Sequence, residues 1–152
     1  MLDHFWQQYQ SALPVDHPHR GSRYTAWGFG DSPALMDELG QLVAQGIKTA
    51  TTSLLWEYEH DGEEIPVVGE LSVILSGAAQ PLCIIETTEL KVMPFNQVDE
   101  LFAFDEGEGD RTLAYWRDAH QHFFGRVCAR IGRTFSEDML VLCERFRLVY
   151  KA

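Results

Sequence analysis

The residues best suited to chemistry stand in one short run, Gly46-Ile47-Lys48-Thr49-Ala50-Thr51-Thr52-Ser53. A threonine hydroxyl stays protonated at neutral pH and is a weak nucleophile. A nearby lysine that burial has stripped of its proton is a general base able to activate it. On an extended strand Thr49, Thr51 and Ser53 share one face and Lys48, Ala50 and Thr52 the other, so a bulge or turn at Lys48 is needed to swing its amine toward Thr51. The same run is also a plain β-forming segment with a lysine reaching for solvent. A second cluster, Asp105-Glu106-Gly107-Glu108-Gly109-Asp110, sets carboxylates between glycines. The backbone can turn sharply there and aim one carboxylate into a pocket as an acid or base, while Asp110 caps the helix that follows. This is not a calcium loop: counted from Asp105, the sixth position is Asp110 instead of glycine and the twelfth is Trp116 instead of glutamate.

The histidines carry less. His17 and His19, and His120 and His122, are two residues apart; on a helix such a pair diverges, which is wrong for a shared metal. His120 falls on an apolar stripe, as a hydrogen-bonded core or pocket-wall residue. No metal and no cofactor are expected. Gly28-Phe29-Gly30 lacks the third glycine of a dinucleotide loop and puts Asp31 where a phosphate would lie. Arg20, Arg23, Arg126, Arg130 and Arg133, with Tyr24 and Trp27 between them, could form a patch that stacks single-stranded bases, although scattered solubilising charge is the simpler reading.

Positioning these residues falls to elements outlined by the apolar pattern. Leu2, Phe5, Trp6, Tyr9 and Leu13 recur at helical spacing, predicting an amphipathic helix over residues 1–13 that Pro14 ends and that packs on the rest as a lid. Residues 24–29 predict a short strand. Asp31 or Ser32 caps a second helix, with Pro33 in its first turn, Leu35, Met36, Leu39, Leu42 and Val43 as its stripe and Gly46 as a left-handed stop. Residues 48–58 predict a strand, the acidic stretch after them a turn, and residues 71–75 and 81–92 a hairpin. Pro94 opens a short helix with Val98, Leu101 and Phe102 on one face, and Asp110 caps a long one carrying Leu113, Trp116, His120, Phe123, Phe124 and Val127. A closing strand spans 140–150, where Phe146, Leu148 and Tyr150 alternate with Arg145, Arg147 and Val149. The order predicts an α+β fold, a small, mostly antiparallel β-barrel with flanking helices.

At 152 residues this is a single domain's length. Twelve basic against 23 acidic residues leave a net charge of −11, which repels polyanions and excludes DNA or long RNA held by phosphate neutralisation. Cys83, Cys128 and Cys143 are odd in number and dispersed, which fits a reducing cytoplasm better than a disulfide framework or a zinc site. The first ten residues lack the basic and apolar regions of a leader, and no apolar stretch reaches the ~20 residues of a membrane span, so a cytoplasmic protein without membrane partners is expected.

G-x-K-x-x-T-x-S over residues 46–53, preceded by Phe29-Gly30-Asp31 and followed by P-x-x-G-E at Pro66, Gly69 and Glu70, resembles the ASCH domain family. The block PFNQVDELFAFDEGEGDRTLAYWRDAHQHFF over residues 94–124 is similar to the longer bacterial branch of that family. The resemblance implies a PUA-like β-barrel, a fold shared with RNA-modification and RNA-binding modules. Some small relatives hydrolyse the amide of N4-acetylcytidine through a lysine, a threonine and a glutamate, and others are associated with RNA cleavage. By position the lysine matches Lys48, the threonine Thr51 and the glutamate Glu106, with Glu108 as its alternative. Thr51 is then the nucleophile, Lys48 its base and Glu106 an orienting or acidic group, acting on a small nucleoside-like ligand or a short single-stranded RNA. Ser53, Trp27, Tyr24, Glu108, Trp116 and His120 are the expected substrate-binding neighbours. The small hydrolases carry an arginine where this chain has Ser53, so substrate contacts differ. The opposing reading is a non-catalytic binder in which Lys48 meets a phosphate and Trp27 or Tyr24 stacks on a base; a third is a ribonuclease acting at the 2′-hydroxyl. A lysine acting as base requires burial among Trp27, Phe29 and the strand wall to depress its pKa.

Overall fold

Local chemistry punctuates the helices of the computed structural model, which describes residues 1–152. Helix α1 (Leu2–Ala12) buries Phe5, Trp6 and Tyr9 against Leu71, Val73 and Ile84 of the sheet. After the short strand β1 (Thr25–Trp27), α2 (Pro33–Ala44) starts at Ser32, whose hydroxyl accepts the Leu35 N–H at 3.2 Å. Such a cap is worth about 1 kcal/mol. Gly46 follows the helix at φ 77°, in the left-handed region a side chain resists.

Strand β2 (Ala50–Leu54) is shorter than expected, because Leu55–Asp61 forms a further helix, α3. Period-two alternation fails at Leu54-Leu55, Glu57 sits favourably in the first turn, and Gly62 closes the helix at φ 65°. Arg130 then pairs with both Glu57 and Asp61, which lie on one helical face. The hairpin β3 (Leu71–Leu75) and β4 (Pro81–Pro94) follows, and β5 (Leu140–Lys151) closes the chain.

Between them, a 3-10 turn at Phe95–Gln97 precedes α4 (Glu100–Glu106), which Asp99 caps. The helix therefore starts later than Pro94, and its buried face is Phe102, Ala103 and Glu106, leaving Leu101 64% exposed. Helix α5 (Leu113–Ile131) is capped by Thr112; Asp110 instead accepts from the Thr112 N–H and hydroxyl, holding the cap in place.

The five strands run in the order β1-β3-β4-β5-β2, with only the β1–β3 pair parallel. Register shifts at Ile84/Ile85 and Thr87/Glu89 bend the long β4–β5 pair into a half-barrel. Helices α4 and α5 pack on β2 and β5 around Phe95, Trp116 and Phe124, whereas α2 covers Ile74, Ile85 and Phe146. The edge strand β2 is thereby wedged between α4 and β5. No helix is long and apolar enough to cross a membrane.

Candidate functional site

Two connections, α2–β2 and α4–α5, and the end of α4 deliver charged side chains to one buried point. Beyond Gly46, the Ile47 and Lys48 N–H groups both donate to Leu42 O, at 2.9 and 3.1 Å, and this tight exit turns the lysine side chain inward beneath β2. Glu106 lies one turn after Phe102 on the buried face of α4. Gly107 then reverses the chain at φ 73°, in a place where a Cβ would stand 2.7 Å from Ile47 O. Strain and clash coincide there, so Gly107→Ala should destabilise the fold by about 1–3 kcal/mol. Urea unfolding checks this, and a change below about 0.5 kcal/mol would contradict the assigned close approach.

Lys48 Nζ donates to Glu106 Oε1 at 2.9 Å, Glu108 Oε2 at 2.7 Å and Ala50 O at 2.9 Å, which engages all three ammonium protons. Lys48 and Glu106 are each 1% exposed and Glu108 is 17% exposed. The second oxygen of Glu106 accepts from Thr52 Oγ1 at 2.6 Å and Trp116 Nε1 at 2.5 Å, and His120 Nε2 stands 3.5 Å away. Trp116 and His120, one turn apart on α5, stack with centroids 4.2 Å apart. Trp116→Phe keeps most of the packing but removes a donor from a buried carboxylate, and should cost about 1.5–3 kcal/mol. Chemical denaturation is the measurement; unchanged stability would mean that the indole N–H contributes nothing.

Electrostatics follow from this geometry. Burial by itself would lower the Lys48 pKa, but Glu106 and Glu108 outweigh it and the net direction is up. The depressed lysine expected from the sequence is thus corrected: the carboxylates that surround Lys48 keep it charged. Burial pushes Glu106 up, yet Lys48, His120 and Thr52 together hold it well below the usual carboxylate range. Glu108 moves the other way, raised chiefly by burial and further by the Glu106 charge against the pull of Lys48. His120, which burial would lower, is raised by Glu106. Its contribution to stability is therefore fully present below its ordinary value of 6.5 and is lost as pH rises through the higher folded-state value.

Lys48, Thr51, Glu106, Glu108 and His120 line one cavity of about 190 Å³. It shares Phe29, Thr51, Thr52 and Arg126 with a larger cleft of about 590 Å³, whose wall includes Trp27, Ser53 and Tyr58. Thr51 is half-buried, borders both spaces and has no side-chain hydrogen bond within the protein. Ser53 shares a 2.9 Å hydrogen bond with Tyr58. Trp116 lies beneath the cavity, 2% exposed, as a support for Glu106 and not as a ligand-stacking surface. Tyr24 is a correction: its hydroxyl donates to Asp3 at 2.7 Å and its ring packs on Trp6, so α1 holds it outside the cleft. Of the arginines suggested for a basic patch, Arg126 and Arg130 line the cleft, but Arg126 is paired with Asp31 and Arg130 with Glu57 and Asp61.

Two residues escaped the sequence reading. Thr52, on the Lys48 side of the alternation, is the threonine that bonds Glu106. Glu144, a buried acid in the otherwise apolar start of β5, forms part of the cleft wall; an isolated carboxylate inside a strand was the available signal. Glu106, Glu108 and His120 could each offer a metal ligand atom, all within 4.8 Å of one another. A divalent cation there would have to displace the Lys48 ammonium, which already fills the cation's place between the two carboxylates.

Comparison with curated proteins returns no match. Among solved structures, the chain is similar to the ASCH domain from Lactobacillus crispatus JV V101, with 38% identity, a TM-score of 0.91, and 97% of this chain and 93% of that one covered. It is also similar to a protein from Enterococcus faecalis V583, with 39% identity, a TM-score of 0.84 and coverage of 99% and 91%. The ASCH domain model matches residues 25–150, which include every element from β1 through nearly all of β5. The chain therefore belongs to the ASCH domain family.

Proposed function

We propose that the protein hydrolyses the N-acyl amide of a nucleoside-like ligand, with an N4-acylated cytidine as the first substrate to test. The observation that carries this reading is the shared cavity: Thr51, whose hydroxyl has no partner in the protein, lines the same space as Lys48, Glu106 and Glu108 and also borders the larger cleft. Thr51 Oγ attacks the acyl carbon. Its proton passes to Glu108, the more accessible carboxylate on that wall, whose raised pKa suits a group that must both take and return a proton. Lys48 remains an ammonium that holds both glutamates in place, and Glu106, fixed by Thr52 and Trp116, keeps that ammonium charged. Collapse of the tetrahedral adduct breaks the C–N bond and releases the amine with the proton from Glu108; water then hydrolyses the acyl-threonine. The net acidity of the chain favours a small ligand over long RNA.

Incubation of the purified protein with N4-acetylcytidine, and separately with short acetylated and plain RNAs, tests the reading by chromatography. Free cytidine and acetate are expected from the nucleoside. Saturable binding without release of acetate would favour a non-catalytic binding module, and cleaved plain RNA a ribonuclease.

A further inference from the structure

Glu144 faces the cleft directly across from Thr51. The two residues are register partners in the antiparallel β2–β5 pair, so their side chains leave the same face of the sheet from Cα atoms about 4.5–5.5 Å apart. Both line the larger cleft. Glu144 is only 4% exposed, and its Oε2 accepts the Thr87 hydroxyl at 2.7 Å. Its Oε1 has no partner in the protein. Since no fully buried side-chain oxygen is left without a partner, Oε1 is the part of this residue that opens on the cleft.

No cation is free to meet it. Lys48 is engaged by three acceptors, Arg126 by Asp31, and Arg130 by Glu57 and Asp61. A nearly buried carboxylate oxygen that opens on a cavity and has no protein donor is left to water, and a ligand that displaces this water must bring a donor of its own or leave the oxygen unpaired. Burial and the neighbouring Glu70 raise the pKa of Glu144 against the opposing effects of Thr87 and Lys48.

We propose that Glu144 is the specificity-determining carboxylate of this cleft, its Oε1 accepting an N–H of the ligand beside Thr51. The inference rests on the nucleoside reading above and adds the ligand's orientation to it. In a cytosine-type base the matching donor is the exocyclic N4–H, which a glutamate accepts in other base-recognition settings. Holding that N–H opposite Thr51 brings the adjoining acyl carbon toward the hydroxyl. Ligands lacking the donor leave Glu144 buried and unpaired, and are rejected for that reason.

The test is calorimetric titration of the full chain with cytidine and with N4,N4-dimethylcytidine, which lacks the donor. Cytidine should bind at least about tenfold more tightly. In Glu144→Gln the amide oxygen can still accept from Thr87 while its NH2 group meets the ligand's own donor, so the preference should vanish. Glu144→Asp, which withdraws the oxygen, should also reduce it and serves if Glu144→Gln fails to fold by circular dichroism. Equal affinities in the unaltered protein, no binding of either ligand, or a preference that persists in a folded variant would overturn the proposal. Parallel assays with N4-acetylcytidine separate it from the hydrolase reading. Discrimination without turnover rejects hydrolysis and keeps Glu144, whereas turnover insensitive to Glu144→Gln does the reverse.

Discussion

At pH 7, Lys48→Met should cost about 3–5 kcal/mol of folding stability, the amount typical of a buried ion pair that loses one partner. For a chain of this size that is a drop of roughly 6–20 °C in Tm. The substitution keeps a long side chain in the slot but leaves Glu106 and Glu108 without their common cation and Ala50 O without its donor. The sign of the pH dependence is a second check. In the unaltered protein Glu106 is depressed, so its contribution is present above the ordinary value of 4.5 and is lost as pH falls through the lower folded-state value. In Lys48→Met, burial without a cation raises both carboxyls above their unfolded values. The variant then takes up protons on folding, and its deficit should shrink as pH is lowered from 7 toward 5. Guanidinium unfolding at both pH values measures this, and a deficit under about 1 kcal/mol that does not change with pH would mean that the network holds little of the fold together.

Thr51→Val should reduce amide turnover on the order of 10⁴-fold or more, because it removes the attacking oxygen at nearly constant volume. Thr51→Ser should retain measurable turnover. Glu108→Gln should cost about 10²–10⁴-fold, the usual contribution of a positioned proton carrier. The pH profile separates the two possible bases. If Glu108 takes the proton, kcat/KM rises as pH passes through its raised carboxyl value, above 4.5, and no lysine-dependent rise follows at neutral pH, since Lys48 stays charged beyond 10.5. A profile that climbs between pH 7 and 9 in the unaltered protein and loses that limb in Lys48→Met would return the base role to the lysine. Undiminished turnover in Thr51→Val would remove the threonine from the chemistry altogether.

Much of the scaffold was legible from local pattern. Ser32, Pro33 and Gly46 bracket α2 where the capping residues predict, and the stripe Trp116, His120, Phe124 and Val127 is buried on α5 as its spacing requires. The exceptions also have local causes. Leu55–Asp61 became a helix because Gly62 and the Arg130 pairings rewarded it, and Leu101 turned outward because Asp99, several residues past Pro94, set the phase of α4.

Residue types and their spacing were enough to mark the groups suited to chemistry: Lys48 and Thr51 in one run, Glu106 and Glu108 in one acidic turn, and a helix after it bearing Trp116 and His120. Side-chain type, capping and periodicity are properties of neighbouring residues, so they survive the absence of a fold. Their charge and surroundings came from long-range packing. Lys48 meets its two carboxylates across 58 and 60 residues of chain, and they reverse the direction in which burial alone would move its pKa. Tyr24 went to α1 and Trp116 beneath the cavity, while Glu144 arrived opposite Thr51 through β2–β5 pairing. Charge, desolvation and access depend on distances in space, and a lone sequence leaves those distances open until long-range pairing and packing close them.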